Sequence, residues 1–320
     1  MKKLILLLTT TTLLLADQIP QVDLGYYTVT NKGTGHVLDV FYNNKVDGGP
    51  VCQTKFSGRD TQKWLVVPIV DEPGHFRFMA KSSGHALDVL YDNKIHGGPV
   101  CQAHLSSRDT QKWLLVAIAD EPGHFYIKSK SSGLHLDPFH GNDVNGGPVA
   151  QAKANEGESQ KWRLQLVEQI EVAKGCYQVI SKKTGKALDV FYSNKTPGGP
   201  ICQAKPTKRA AQQWLISPVE GEPGYFHLKS KVSGLRLDPF RGNKINGGPV
   251  SQERPNKMNS QKWLIVPVPD EKGYFRLYCK NSGNSLGIFA GNDVDGGPVC
   301  HDRPNHTDGQ KWSLKLLGKE

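Results

Sequence analysis

Five Leu-Asp pairs recur along the sequence, ending in Asp39, Asp88, Asp137, Asp189 and Asp238. An ionised carboxylate offers two acceptor oxygens to paired donors. Just behind three of them stand Tyr42, Tyr91 and Tyr192, whose rings combine an apolar face with a polar tip. The same slot elsewhere holds His140, Arg241 and Ala290, a variation expected of an exposed position. Two residues further on lies an asparagine every time: Asn44, Asn93, Asn142, Asn194, Asn243 and Asn292. Such an asparagine either builds a hairpin turn with its own side chain or presents an amide to a ligand. Acceptor, ring and amide together are the chemistry of binding. Catalysis lacks its constellation. No Ser or Cys nucleophile has a fixed His partner, and the carboxylates fall one to a copy. The pair roughly 5–10 Å apart that glycoside hydrolysis needs is therefore not implied. His36 matches His85 and His75 matches His124 by position; they read as surface strand and turn residues. The expectation is a protein that is not an enzyme.

The elements that must position these residues repeat six times. Gln-x-Trp closes each copy, at Trp64, Trp113, Trp162, Trp214, Trp263 and Trp312, with spacings of 49, 49, 52, 49 and 49. Those are all six tryptophans of the chain. A period of this kind is a repeat architecture. Each copy opens on an apolar-aromatic strand such as Tyr26-Tyr27-Thr28-Val29, turns at a Thr-Gly or Ser-Gly pair, and enters a short strand carrying Leu-Asp. A Gly-Gly hairpin follows, with glycine supplying positive φ. Proline then opens a third strand, where a missing amide donor does least harm. Four short strands per copy and no helical periodicity mean an all-β fold. Strand alternation puts Gln and Trp of Gln-x-Trp on one face and the middle residue at an exposed site. Trp then belongs to the core, and the Gln amide satisfies nearby backbone groups. The apolar Phe41, Leu90, Phe139, Phe191, Phe240 and Phe289 beside the variable slot are expected to be core as well.

The 320 residues suit two domains, with the 52-residue step marking the boundary. We expect 22–168 and 172–320, joined by the polar stretch VEQIEVAKG. Residues 1–16 read as a secretory signal peptide: Lys2-Lys3, then an apolar run ending at Ala16. That run is shorter than the about 20 residues a membrane span requires, so no membrane insertion is expected. Without Lys2 and Lys3 the formal charge falls from +10 to +8, with no run of five or more Lys or Arg. A nucleic-acid partner would want a clustered basic face. Four of six cysteines, Cys52, Cys101, Cys202 and Cys300, share one slot that Ala150 and Ser251 fill elsewhere, so it reads as a small-residue slot. Zinc spacing is missing. The Asn- and Asp-rich hairpins lack the calcium-loop pattern with its closing Glu. Neither a metal nor a cofactor is expected.

Six Gln-x-Trp endings in two sets of three, five of the copies carrying Leu-Asp before their Gly-rich hairpin, resemble the ricin B-type lectin family from about Leu24 to Leu317. The resemblance implies two tandem β-trefoils, each of three four-stranded repeats around a pseudo-threefold axis. It also implies that the aspartates accept hydrogen bonds from vicinal sugar hydroxyls while an aromatic ring stacks on the sugar. Carried over by position, the carbohydrate-binding candidates are Asp39, Asp88, Asp137, Asp189 and Asp238; Gly287 removes the sixth. Two features depart from the family. Its Asn before Gln-x-Trp is here Thr61, Thr110, Ser159, Ala211, Ser260 or Gly309. Its third-strand aromatic aligns with Thr54, Ala103, Ala152, Ala204, Glu253 and Asp302. Tyr42 with Asn44, Tyr91 with Asn93 and Tyr192 with Asn194 are the expected replacements, making the first, second and fourth repeats the best sites. The family's disulfide places hold Val37 and Phe56, or Ala86 and Leu105, where apolar packing is expected instead.

The resulting expectation is a secreted multivalent lectin for glycans or glycoconjugates on cell surfaces, free to serve a separate toxin or adhesion partner. The alternative is a β-trefoil that binds protein, as an inhibitor or adhesion factor, and has lost sugar binding.

Overall fold

The structure is a computed structural model describing residues 22–319 except 70, 71, 107, 156, 223, 270 and 306. The expected signal peptide lies outside the described residues. Strands β1 (Gly25–Asn31), β2 (Val37–Val40), β3 (Gly49–Thr54) and β4 (Trp64–Pro68) make the first repeat. The second contains β5 (His75–Ala80), β6 (Ala86–Val89), β7 (Gly98–Ala103) and β8 (Trp113–Ala117). The third contains β9 (His124–Ser129), β10 (His135–Pro138), β11 (Gly147–Ala152) and β12 (Lys161–Gln169). First and last strands of the repeats, β1, β4, β5, β8, β9 and β12, pair antiparallel in a ring that closes between β12 and β1. The three inner hairpins cap the ring, and β3, β7 and β11 pair with one another in a triangle. Closure removes the open edge on which an exposed strand would aggregate. Gly175 to Lys319 repeats this topology strand for strand. The all-β, tandem β-trefoil architecture is thus present, with residues 170–174 between the two sheets.

Every Gln-x-Trp tryptophan is fully buried. Its indole N–H donates to the carbonyl of the Leu in Leu-Asp, or in Leu286-Gly287 of the sixth repeat, at 2.8–3.1 Å. A buried indole needs that partner, since an unmet donor costs about 1–3 kcal/mol. The glutamine, however, ends a three-residue 3-10 turn, Asp60–Gln62 in the first repeat, and the strand begins only at the tryptophan. The middle residue is not at an open site either. Lys112, Lys161, Lys262 and Lys311 pair with Glu72, Glu121, Glu222 and Glu271 at 2.6–2.7 Å. Each of those glutamates takes a second lysine, Lys130, Lys32, Lys280 or Lys182. Sequence alternation missed this because each glutamate comes from the loop that opens the same repeat, 40 residues earlier.

The hairpin cap is tied by another glutamine, one the sequence reading did not single out. Gln53, Gln102 and Gln151 are fully buried. Their amides donate to the carbonyls of Asn142, Asn44 and Asn93 in neighbouring repeats. The second glycine of Gly48-Gly49 makes room for this: a Cβ on Gly49 would sit 2.9 Å from the Val46 carbonyl and 3.2 Å from Gln102. Gly48 supplies the positive φ, 76°. The shared small-residue slot holds, with Cys52, Cys101, Ala150, Cys202, Ser251 and Cys300 all buried. Burial pushes the Cys52, Cys101, Cys202 and Cys300 thiols up to about 12, so they stay protonated and inert.

Candidate functional site

The Leu-Asp strand places each aspartate one residue beyond the carbonyl gripped by tryptophan. The glutamine of Gln-x-Trp then takes the carboxylate. Gln62 Nε2 lies 3.1 Å from Asp39 Oδ2, Gln111 Nε2 2.9 Å from Asp88 Oδ2, and Gln212 Nε2 2.8 Å from Asp189 Oδ2. Thr54, where relatives were expected to keep an aromatic, donates its hydroxyl to Asp39 Oδ2 at 2.6 Å. In the third and fifth repeats the serine before Gln-x-Trp does so instead: Ser159 to Asp137 at 3.3 Å, Ser260 to Asp238 at 3.1 Å. All five aspartates are buried, 2–5% exposed. Burial raises the Asp238 carboxyl to about 6 against the hydrogen bonds of Gln261 and Ser260. It raises Asp189 as well, against Gln212 and the Arg209 guanidinium 3.1 Å away.

The tyrosines stand at the opposite extreme. Tyr42, Tyr91 and Tyr192 are 89%, 93% and 89% exposed. They sit in a left-handed turn, with φ of 50°, 54° and 49°. The residue after each, Asn43, Asp92 or Ser193, is left-handed too, at 52°, 52° and 54°. In the other repeats that second place is Gly141, Gly242 or Gly291. Phe41 stands edge-on behind Tyr42 at 4.3 Å between ring centroids, as Phe191 does behind Tyr192. These neighbours are half-buried props, and Phe139 and Phe289 are 37% and 46% exposed. The expectation that this apolar position belongs to the core is corrected: the left-handed turn lifts it off the hairpin.

Asp39 and Tyr42 line one open cleft of about 880 Å³. Asn43, Lys45, Phe56 and Arg59 line it with them, and Asn145 and Gly146 arrive from the hairpin of the third repeat. Asn44 does not line it. Its Oδ1 accepts from the Val46 amide at 2.8 Å, and Asn93 and Asn194 make the same turn with Ile95 and Thr196. Phe56, expected to pack in a lost disulfide place, is 59% exposed, whereas Leu105 at the same place in the second repeat is buried. His36 and His85, expected at the surface, are buried also. Asn43, Phe56 and Arg59 were missed: Arg59 recurs as Arg108 and Arg209, but its spacing alone does not bring it to the aspartate, and Asn43 and Phe56 have no such recurrence. The Gln–Asp contact did leave a signal: 23 residues separate Asp39 from Gln62, Asp88 from Gln111 and Asp189 from Gln212. Among the described residues no group of three or more His, Cys, Asp or Glu could hold a metal ion. No helix among them is long and apolar enough to cross a membrane.

A family model described as ricin-type beta-trefoil lectin domain-like matches residues 17–103, 109–204 and 210–301. Among solved structures, a designed threefold-symmetric protein, ThreeFoil, is 34% identical, over 45% of this chain and 99% of its own, with a TM-score of 0.43. The Rhizoctonia solani agglutinin is 22% identical over 46% of this chain and 98% of its own, with a TM-score of 0.41. A mosquitocidal holotoxin is 18% identical over 93% of this chain, which spans 35% of that toxin, with a TM-score of 0.43. No curated protein matches.

Proposed function

This chain belongs to the ricin-type β-trefoil lectin domain-like family, and on that premise we propose that it is a secreted, multivalent carbohydrate-binding protein with sites centred on the Leu-Asp aspartates. Family membership supports the carbohydrate-binding role. The observation that carries the site assignment is the cleft shared by Asp39 and Tyr42. Its buried acceptor is held by Gln62 and Thr54, and its exposed ring stands at the rim. A sugar offers paired hydroxyl donors to the first and a C–H face to the second. Asp88 with Tyr91 and Asp189 with Tyr192 supply the same pair, while Asp137 and Asp238 lack the tyrosine. Several weak sites on one rigid body raise avidity for clustered glycans, which suits cell-surface glycoconjugates as partners and delivery or adhesion as roles. The basic, apolar N-terminal stretch supports secretion. Binding rather than catalysis is the reading because each carboxylate works alone in its repeat.

A glycan array on the intact chain tests this, followed by Asp39→Ala, Asp88→Ala and Asp189→Ala combined. Loss of signal in the triple variant, with its circular dichroism unchanged, is the expected result. Signal that survives the triple variant removes the aspartates from the site. A silent array, together with capture of a protein ligand, returns the chain to the protein-binding alternative.

A further inference from the structure

The cleft around Asp39 carries more free positive charge than a neutral sugar uses. Of its lining residues, Lys81 is already paired, with Glu168 at 2.6 Å and Asp60 at 3.5 Å. Asp60 is also held by Lys63 at 2.9 Å. Lys45, Lys55 and Arg59 are exposed and have no side-chain partner among the described residues. They face one buried carboxylate, and that one already accepts from Thr54 and Gln62.

Basic residues accompany the tyrosine in the other two repeats that have one. Lys94 and Arg108 take the places of Lys45 and Arg59 in the second, Lys94 with Asp92 3.6 Å away, and Lys195, Lys205 and Arg209 fill all three places in the fourth. Where the tyrosine is lost, the set breaks: Asp143 and Gly157 in the third repeat, Met258 in the fifth, Asp293 and Thr307 in the sixth. Arg209 shows how far the arginine reaches, with Nη2 3.1 Å from Asp189 Oδ2 while its side chain stays 59% exposed. A guanidinium that reaches the floor of the cleft can meet a carboxylate or sulfate with two parallel N–H donors. Lysines at the rim attract the same anion from a distance.

We propose that the cleft of the first repeat, and the Asp–Tyr sites of the second and fourth that carry the same arginine, select an acidic saccharide, one bearing a carboxylate or a sulfate. The sugar ring lies against Tyr42 and Phe56 in the first repeat, and its anion is met by Arg59 with Lys45 and Lys55. This rests on the lectin reading above and narrows its ligand class.

The test compares the intact chain with a variant carrying Arg59→Gln, Arg108→Gln and Arg209→Gln, all exposed positions. Both are titrated with neutral, uronic-acid-bearing, sialylated and sulfated oligosaccharides at low and high salt. Tighter binding of an acidic class, weakened about tenfold or more in the variant and by a clearly larger factor than any neutral sugar, supports the proposal. The carboxylated and sulfated arms then tell which anion is read. Neutral sugars bound as well as acidic ones overturn it while leaving the lectin reading intact. Acidic sugars bound equally by the variant overturn it too, as diffuse attraction to a basic chain. No binding to any arm overturns it together with the lectin reading.

Discussion

At the scale of single residues, the site pairs a buried carboxylate with an exposed ring, and different forces set the two. Asp39 is fixed through Gln62 and Thr54, so its orientation follows from the core below it. Tyr42 is fixed by backbone strain, because a non-glycine residue in the left-handed region carries about 1–2 kcal/mol. The three tyrosine-bearing repeats take that strain twice, through Asn43, Asp92 and Ser193, where the others use glycine. Ser193→Gly therefore raises stability by about 1 kcal/mol in a urea melt. An unchanged or lower midpoint would show that the left-handed turn carries no strain there. The aspartates and tyrosines were legible in the sequence because they repeat at a fixed interval. Phe56 was not, since a single phenylalanine on a loop reads equally as core or surface until neighbouring strands are placed around it, and the recurring Arg59 gave no sign of facing Asp39 until the loop was folded over the cleft.

At the scale of elements, each repeat is held by contacts that cross to the next. The Lys–Glu–Lys ties join strand starts, Gln-x-Trp turns and the loops between repeats. Hydrogen bonds from Lys161 and Lys32 hold the Glu121 carboxyl down at about 2. Burial works against the same effect at Glu72, Glu222 and Glu271, yet their paired lysines keep these carboxyls below the ordinary value. A carboxylate with a lower pKa folded than unfolded contributes stability that is complete above its unfolded pKa and lost as pH falls through the folded one. The window is thus from the ordinary glutamate value of 4.5 down to about 2. Thermal melts across that range should fall steadily for the intact chain, and less steeply for Glu121→Gln. Identical slopes would mean the ties add nothing. Asp238, pushed up to about 6 by burial, acts with the opposite sign. Its contribution is complete below the ordinary aspartate range and lost as pH rises through about 6.

At the scale of the whole molecule, the two trefoils are joined by an apolar cluster drawn from both. Leu24, Tyr26, Leu65, Val67, Met79 and Leu105 from the first meet Tyr225, Leu264, Val266 and Tyr278 from the second. Leu264 is 1% exposed. Truncating a side chain so buried costs about 2–5 kcal/mol. Leu264→Ala should lower the melting temperature and divide one calorimetric transition into two as the trefoils uncouple. A single transition at the parental temperature would show that the cluster does not couple them. The cluster also explains why repeats of nearly one sequence differ in use: the second repeat places Leu105 against the partner trefoil, whereas the first leaves Phe56 at its cleft.

By itself, the sequence determined what is periodic: six repeats, an all-β chain, the buried tryptophans, and the places of Asp and Tyr. Periodicity reports local geometry, since a strand's two faces and a turn's φ depend on adjacent residues. Only the tertiary structure decided what depends on residues far apart in the chain. It set the glutamine grip on each aspartate, the cyclic ties of Gln53, Gln102 and Gln151, the lysine–glutamate pairs and the seam between the trefoils. Each of these contacts joins segments brought together only as strands pair and the trefoils pack, and apart from the regular 23-residue Asp–Gln interval no sequence pattern records which segments those will be.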